Sequence, residues 1–259
     1  MKLSFDEQKT MGVKPPEDLR LPPNRVSRHV TRRISPYVTW LLLRIGVSAN
    51  ACTAVRVLIT VCVGLLITSF EPIYWIMAVP LGYVALVLDA VDGELARTTG
   101  TASPQGAYLE MMTSHFAQPF VLACGAIGLF RGLGGLHVIV VGMGAALGAA
   151  LVVAHTPAVK SAAWESGVVR RPKVPSHRDK GWLKAARMLA NVALITPGLV
   201  YLPQLMVTSL VDSLVSPFLL LGLPVNARLL WLALFALGAF GATLVRVIQT
   251  VRRGIDIWL

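Results

Sequence analysis

Long apolar segments alternate with short polar segments along most of the chain. Six of these segments are long enough to cross a bilayer as α-helices, because about 20 apolar residues span its hydrocarbon core. The predicted spans are residues 48–70, 72–97, 105–130, 134–158, 184–211 and 228–251.

A different pattern precedes the spans. Between residues 25 and 46, apolar residues recur at helical spacing and arginines lie between them. This pattern predicts an amphipathic helix in the membrane interface, which Pro36 is expected to kink or divide. Residues 1–24 are polar and contain several prolines, which predicts a flexible cytoplasmic arm. The sequence therefore predicts an all-α integral membrane protein, with six transmembrane helices in a domain of residues 47–259.

Composition supports this fold class. Hydrophobic residues make up 55% of the 259 residues and charged residues only 14%, with a mean hydropathy of +0.66. A soluble domain would carry about 25% charged residues. The formal net charge is +11, and the basic residues lie in short polar segments beside apolar runs. This arrangement predicts membrane lipids as partners and does not favour nucleic acid.

The basic residues also predict the orientation. With six spans, the N-terminal arm, the turn at 98–104, the loop at 159–183 and the C-terminal tail share one side. Besides the N-terminal cluster, this side carries Lys160, Arg170, Arg171, Lys173, Arg178, Lys180, Arg252 and Arg253. The connections on the other side carry only Arg131 and Arg228. The positive-inside rule then predicts a multi-pass protein of the cell membrane with both termini in the cytoplasm.

Acidic residues collect at the cytoplasmic end of the second and third spans. Asp89 and Asp92 are three residues apart and share one helix face. Gly106, Glu110 and Ser114 follow at four-residue spacing and form one stripe of the next helix. Ionisable groups at membrane depth are costly and usually functional. We therefore expect the candidate active site here, at the cytoplasmic face.

Facing each other, these two helix faces would bring three carboxylates together. Such a cluster needs protons or cations, and oxygen ligands favour Mg²⁺, Mn²⁺ or Ca²⁺. Arg97 supplies a fixed cation suited to phosphate oxygens, while Gly93 and Ala96 leave room for a ligand. The pattern predicts a site for a divalent ion and a diphosphate.

The spacing of these residues resembles the signature of the CDP-alcohol phosphotransferases (CDP-alcohol phosphatidyltransferases), Asp-x2-Asp-Gly-x2-Ala-Arg-x8-Gly-x3-Asp-x3-Asp. The chain reads Asp89-x2-Asp92-Gly93-x2-Ala96-Arg97-x8-Gly106-x3-Glu110-x3-Ser114, which matches six of the eight specified positions. The stretch GVSANACTAVR at 46–56, the six spans and the preceding amphipathic helix are also similar to that family.

This resemblance implies an enzyme of phospholipid biosynthesis. It would transfer a substituted phosphate from a CDP-linked donor, usually CDP-diacylglycerol, to an alcohol acceptor and release CMP. The family's four acidic positions bind two divalent metals, Mg²⁺ or Mn²⁺, and the last Asp serves as the general base. The matching metal ligands here are Asp89, Asp92 and Glu110, and the matching donor-site residues are Gly93, Ala96, Arg97 and Gly106.

Ser114 departs from the family pattern, because a neutral hydroxyl is a poor metal ligand and no base at neutral pH. A second metal would then bind weakly. His115 is adjacent and has a suitable pKa range for a base. It points about 100° around the helix from Ser114, however, and a hydrogen bond within the bundle is the alternative for it. Both residues stay candidates for the base position.

Further candidates lie outside the signature. Asn50 and Arg56, at the cytoplasmic end of the first span, are in reach of the donor. Lys184 and Arg187 would bind an acceptor or a lipid phosphate, or serve as interfacial anchors. Residues 142–151 are rich in glycine and alanine, which permits close helix packing within the bundle or in a homodimer.

Three alternatives to an active enzyme differ in class. The change at Ser114 also fits a catalytically impaired homologue that binds nucleotide or lipid, or supports a partner enzyme. A prenyltransferase would need a second Asp-rich motif and more spans. A transporter would place its binding site near mid-membrane between broken helices, whereas these acids gather at one face.

Overall fold

The computed structural model describes residues 31–165, 201–215 and 217–253. Within these ranges the chain forms helices and one short hairpin, which we number in chain order. They are α1 (Thr31–Arg44), α2 (Ala49–Ile67), α3 (Pro72–Thr98), α4 (Pro104–Leu133), α5 (Leu136–Glu165), α6 (Tyr201–Leu214), β1 (Phe218–Leu220), β2 (Leu223–Val225) and α7 (Ala227–Arg253).

Five helices of the described chain are long and apolar enough to cross a membrane. They are α2, α3, α4, the Leu136–Val159 part of α5 and the Ala227–Ile248 part of α7. Their bounds agree with five of the predicted spans to within a few residues. The predicted span at 184–211 lies mostly outside the described residues, which include only its end as α6. The all-α membrane class is confirmed, and the count of six stays a prediction.

Helix α1 covers the described part of the predicted interfacial helix. It runs through Pro36 as one helix, so the expected division is not observed. Ile34, Tyr37 and Leu41 are exposed on one side, while Ser35 and Thr39 are fully buried. The helix therefore turns its polar side towards the protein and leaves an apolar side outward. That arrangement suits a helix at the membrane interface.

The main core lies between α2, α3, α4, α5 and α7. Trp75 is buried there, and its indole N–H donates to the Ser69 carbonyl at 2.7 Å. Gly125 makes room for this ring, because a Cβ at that position would lie 2.9 Å from Trp75 Cη2. Buried aromatic residues of this size contribute much of the energy of a core.

Close helix contacts use the small residues of α5. A Cβ on Gly148 would lie 2.8 Å from the Cβ of Ala239 on α7, and one on Gly144 would lie 3.7 Å from that of Ala236. The small-residue stripe therefore packs against α7 of the same chain. The sequence allowed packing within the bundle or in a homodimer, and the structure shows contacts of Gly144 and Gly148 within the bundle.

The connection from α6 to α7 contains a hairpin, although the sequence predicts no strand. Strands β1 and β2 pair antiparallel with Leu220 opposite Leu223. The two residues between them, Leu221 and Gly222, have φ of 54° and 78°. Positive φ at both positions is the geometry of a two-residue hairpin turn. The fold remains all-α in class, with this short hairpin as an unpredicted feature of one connection.

Candidate active site

The candidate site lies where α2 packs against both α3 and α4. The backbones of α3 and α4 approach each other at few points, so α2 side chains occupy the space between them. Asp89 and Asp92 come from α3 and Ser114 from α4. Arg56 of α2 reaches all three, which makes it the centre of the site.

Arg56 is only 5% exposed, and its side chain connects three helices. Its Nη1 donates to Asp89 Oδ1 and, at 2.9 Å, to Ser114 Oγ. Its Nη2 donates to Thr113 Oγ1, and its Nε lies 3.8 Å from Asp92 Oδ2. Because guanidinium presents several donors in a fixed plane, one residue can bind two carboxylates and two hydroxyls. Arg56 therefore balances the charge of both aspartates.

Asp92 is 3% exposed, and its two carboxylate oxygens have different surroundings. Thr53 Oγ1 donates to Oδ2 at 2.9 Å. Oδ1 is buried and has no hydrogen-bond partner within the described residues. A buried acceptor left without a partner costs about 1–3 kcal/mol. This oxygen is therefore available to a ligand, and its negative charge favours a cation.

The expected convergence of three carboxylates is not present in the described part of the chain. No group of three or more His, Cys, Asp or Glu side chains is arranged there to hold a metal ion. Glu110 lies close enough to Asp92 for their charges to repel, but its carboxylate makes no hydrogen bond to a described residue. The physical reason is that Arg56 occupies the space between α3 and α4 and supplies the positive charge. The metal roles of Asp89, Asp92 and Glu110 stay predictions.

Ser114 belongs to the same network. Its Oγ donates to Asp89 Oδ1 at 2.9 Å and accepts from Arg56. The neutral side chain at the last signature position is therefore held between a cation and a carboxylate. Its hydroxyl also faces a cavity that α2, α3 and α4 line.

The predicted donor-site residues lie towards the turn between α3 and α4. The Arg97 guanidinium lies over Gly93, where a Cβ would be 3.1 Å from Nη1. The Ala96 carbonyl accepts from Thr101 N at 2.9 Å, and Gly106 N donates to Ser103 Oγ at 3.1 Å. These contacts end α3 and begin α4. They fix the turn through which the eight-residue gap of the signature passes.

Two other candidates are not brought into the Arg56 network. His115 Nδ1 bonds to the carbonyl of Met111, while its Nε2 is buried without a partner among the described residues. The hydrogen bond within the bundle that the sequence offered as an alternative is therefore present. Asn50 is exposed in the first turn of α2. Lys184 and Arg187 lie outside the described residues.

Sequence reasoning missed several polar residues of the site. Thr53 and Thr60 lie three residues before and four residues after Arg56, on the same face of α2. Thr113 accepts from Arg56, and Gln118 follows Ser114 by one helical turn. Thr60 and Gln118 each lie four residues after a candidate residue, Arg56 and Ser114, so helical spacing alone could have identified them. Nothing in the pattern ranked these hydroxyl and amide groups above ordinary polar residues of a span.

Glu94 lies on a different side of α3. Its two oxygens accept from Ser35 Oγ and Thr39 Oγ1, each at 2.6 Å. These bonds attach α1 to the helix that carries Asp89 and Asp92. Since the distances are short and one partner is charged, each bond is a strong one.

The long apolar helices indicate a multi-pass membrane protein. Its candidate site is the buried cluster of acidic and basic side chains. Comparison with known protein families matches residues 46–211 to the CDP-alcohol phosphatidyltransferases. The match covers more than half of the chain, from three residues before α2 into α6. The chain therefore belongs to the CDP-alcohol phosphatidyltransferase family, whose members are phosphotransferases that generally use divalent metals. Comparison with curated proteins gave no match.

Proposed function

We propose that the protein transfers a substituted phosphate from a CDP-linked donor to an alcohol acceptor and releases CMP. CDP-diacylglycerol is the donor that we favour, which places the reaction in phospholipid biosynthesis. The observation that carries the proposal is the network of Arg56, Asp89, Asp92 and Ser114, which lies within the family match. The reaction would take place at the cytoplasmic face of the cell membrane, in agreement with the basic segments on that side.

The residues present fit one divalent ion better than two. Asp92 Oδ1 is a buried carboxylate oxygen without a partner in the described chain, and Glu110 adds negative charge nearby. Asp92 Oδ1 would bind Mg²⁺ or Mn²⁺, which prefer oxygen ligands, and Asp89 and Glu110 would complete the site only by moving their side chains, because they do not converge with Asp92 in the described structure. When bound, such an ion neutralises the donor diphosphate and stabilises the departing CMP. A second ion would be weaker, because Ser114 is neutral and Arg56 already lies beside it.

The protein's own residues would bind and orient the donor. Arg97 provides a planar cation for phosphate oxygens near the turn. Gly93 leaves room for the Arg97 guanidinium, and Ala96 and Gly106 present little side-chain volume to a nucleotide near the turn. Arg56 fixes the positions of Asp89 and Ser114 by hydrogen bonds. Preorganised charges of this kind assist transfer because they need no reorientation during the reaction.

CMP release tests the proposal. Membranes containing the full chain are incubated with CDP-diacylglycerol, Mg²⁺ or Mn²⁺ and a panel of alcohols. We expect acceptor-dependent CMP release that Asp92→Asn abolishes. Glu71→Gln is the matched control, because Glu71 lies exposed at the other end of α3 and makes no side-chain cap bond. Turnover that persists in Asp92→Asn would contradict the proposed site.

A second candidate function is a catalytically impaired homologue that binds nucleotide or lipid, or supports a partner enzyme. The contacts of Ser114 favour it, because the last acidic position of the signature carries a neutral hydroxyl whose hydrogen bonds are already satisfied by Arg56 and Asp89. This candidate predicts binding of the CDP-linked donor without CMP release from any acceptor. It also predicts that Ser114→Asp gains activity, whereas measurable turnover of the unmodified chain excludes it.

A further inference from the structure

A cavity of about 150 Å³ continues from the Arg56 network into the membrane-spanning part of the bundle. It begins at Arg56, Asp89 and Ser114 and extends along the helices as far as Gly82. The seven residues from Asp89 back to Gly82 correspond to about 10 Å along a helix. The cavity therefore lies on the side of the network away from the α3–α4 turn, where Gly93 and Arg97 are found.

Most of the cavity wall is apolar. Val63, Leu86 and Val121 contribute its larger side chains, and Ala85 and Ala117 leave most of the space. An apolar wall excludes water and favours carbon-bound parts of a ligand. Small residues on two different helices also mean that one larger side chain would fill the space.

One polar side chain in the wall has no partner. Gln118 is 7% exposed, and its amide forms no hydrogen bond to any residue in the described ranges. Gln204 shows the usual alternative, because its amide oxygen accepts from Trp231 Nε1 at 2.8 Å. The amide atoms of Gln118 are not among the fully buried ones, because they line the cavity, and they are open to a ligand group that donates or accepts there. Thr60 adds a hydroxyl whose own proton is donated to the Arg56 carbonyl.

The charge of the cavity is balanced. Of the residues that line it, Arg56 and Asp89 are charged, and they pair with each other. Among the described residues of the wall, no unpaired charge would compensate a buried phosphate or ammonium group. Burying an uncompensated charge costs far more than burying a hydroxyl that finds hydrogen-bond partners. The cavity therefore favours an uncharged ligand.

We propose that this cavity binds the hydroxyl-bearing segment of the acceptor alcohol, and that this segment is uncharged and glycerol-like. This inference rests on the proposed transfer reaction. A cavity of this size holds about six heavy atoms, which is the size of a three-carbon polyol. The reacting hydroxyl would meet Ser114 at the top of the cavity. A second hydroxyl or an ester oxygen would meet the Gln118 amide below it.

Direct binding tests the subsite independently of turnover. The purified full chain is dialysed to equilibrium with radiolabelled glycerol, 1-octanoylglycerol or glycerol 3-phosphate. We expect an uncharged probe to bind and glycerol 3-phosphate to bind at least tenfold more weakly. Preference for glycerol indicates a water-soluble acceptor, and preference for 1-octanoylglycerol indicates a lipid one. The subsite is overturned if glycerol 3-phosphate binds best or if neither uncharged probe binds.

Two variants connect the binding to this cavity. Ala117→Leu fills the space, and we expect at least a tenfold loss of affinity for the uncharged probe. Gln118→Leu keeps the volume and removes one hydrogen bond, which corresponds to about a three- to tenfold loss. Ala54→Leu is the control, because Ala54 is exposed on α2 and should bind as the unmodified chain does. Unchanged affinity in both cavity variants would overturn the assignment.

CMP release is measured in parallel and keeps the two proposals separate. Absence of CMP release together with Gln118-dependent binding would contradict the transfer reaction and with it the acceptor assignment, and would leave only a cavity that binds an uncharged polyol. CMP release with an acceptor whose KM is the same in Ala117→Leu and Gln118→Leu would support transfer and overturn the subsite.

Discussion

Replacement of Arg56 by alanine should destabilise the protein by about 3 kcal/mol. The side chain is buried and supplies the positive charge beside Asp89 and Asp92. Breaking a buried ion pair from one side costs about 3–5 kcal/mol, because a buried charge is left without compensation. We take the lower end since the Asp89 side chain is 40% exposed and is partly screened by solvent.

The expected loss is large enough to measure by thermal unfolding in detergent. About 3 kcal/mol corresponds to roughly 6–12 °C in Tm on the scale of a domain of 150–250 residues. Addition of millimolar Mg²⁺ or Mn²⁺ should recover part of the loss in Arg56→Ala, because a divalent ion can replace the missing positive charge between the carboxylates. Monovalent salt at equal ionic strength should recover less.

Arg33→Ala provides the matched control, because this substitution removes the same charge from a residue that is exposed on α1. We expect its Tm to stay within about 2 °C of the unmodified protein, as for most surface substitutions. The reasoning is refuted if Arg56→Ala and Arg33→Ala unfold at the same temperature. It is equally refuted if divalent ions stabilise both variants to the same extent, because the ions would then act away from the Arg56 network.

The remaining predictions concern helix packing. Glu94→Ala and the double variant Ser35→Ala/Thr39→Val should each lower the unfolding free energy, because the three side chains share two charge-assisted hydrogen bonds. The triple variant should lose clearly less unfolding free energy than the sum of the two losses. Strictly additive losses in thermal unfolding would contradict the attachment of α1 to α3. Gly148→Ala should destabilise the bundle by about 1–3 kcal/mol, because the added Cβ would lie 2.8 Å from Ala239 Cβ, while Gly241→Ala meets nothing within 4 Å and should not destabilise it. Equal Tm values for the two glycine variants would contradict the close α5–α7 contact.

The spans were predictable because each consists of a long apolar run with few charges, a signal that does not depend on the contacts between helices. The face shared by Asp89 and Asp92 was equally accessible, because helical periodicity fixes it. The position of Arg56 near the end of a span makes it a candidate, but its role is not predictable from the sequence. Whether a cation lies beside an acidic face depends on how α2 packs between two other helices, and periodicity within one helix does not contain that information.

Two local features also depended on three-dimensional context. Ser35 and Thr39 lie on the buried side of α1, a placement that the amphipathic pattern alone does not predict. It depends on their bonds to Glu94, which is far along the chain. The hairpin after α6 requires Leu221 at φ of 54°, which leucine rarely adopts. The intrinsic backbone preference of leucine therefore does not predict a turn at Leu221.

The most direct test of the central claim is the position of Mn²⁺ in an experimental structure of the full chain with CDP-diacylglycerol, located by its anomalous scattering. Our account predicts the donor diphosphate beside Arg97, with one strong Mn²⁺ peak at the Asp92 carboxylate. The second peak near Ser114 should be weak. Two equally strong peaks would contradict the single-ion interpretation, and a diphosphate bound away from Asp89 and Asp92 would contradict the site itself.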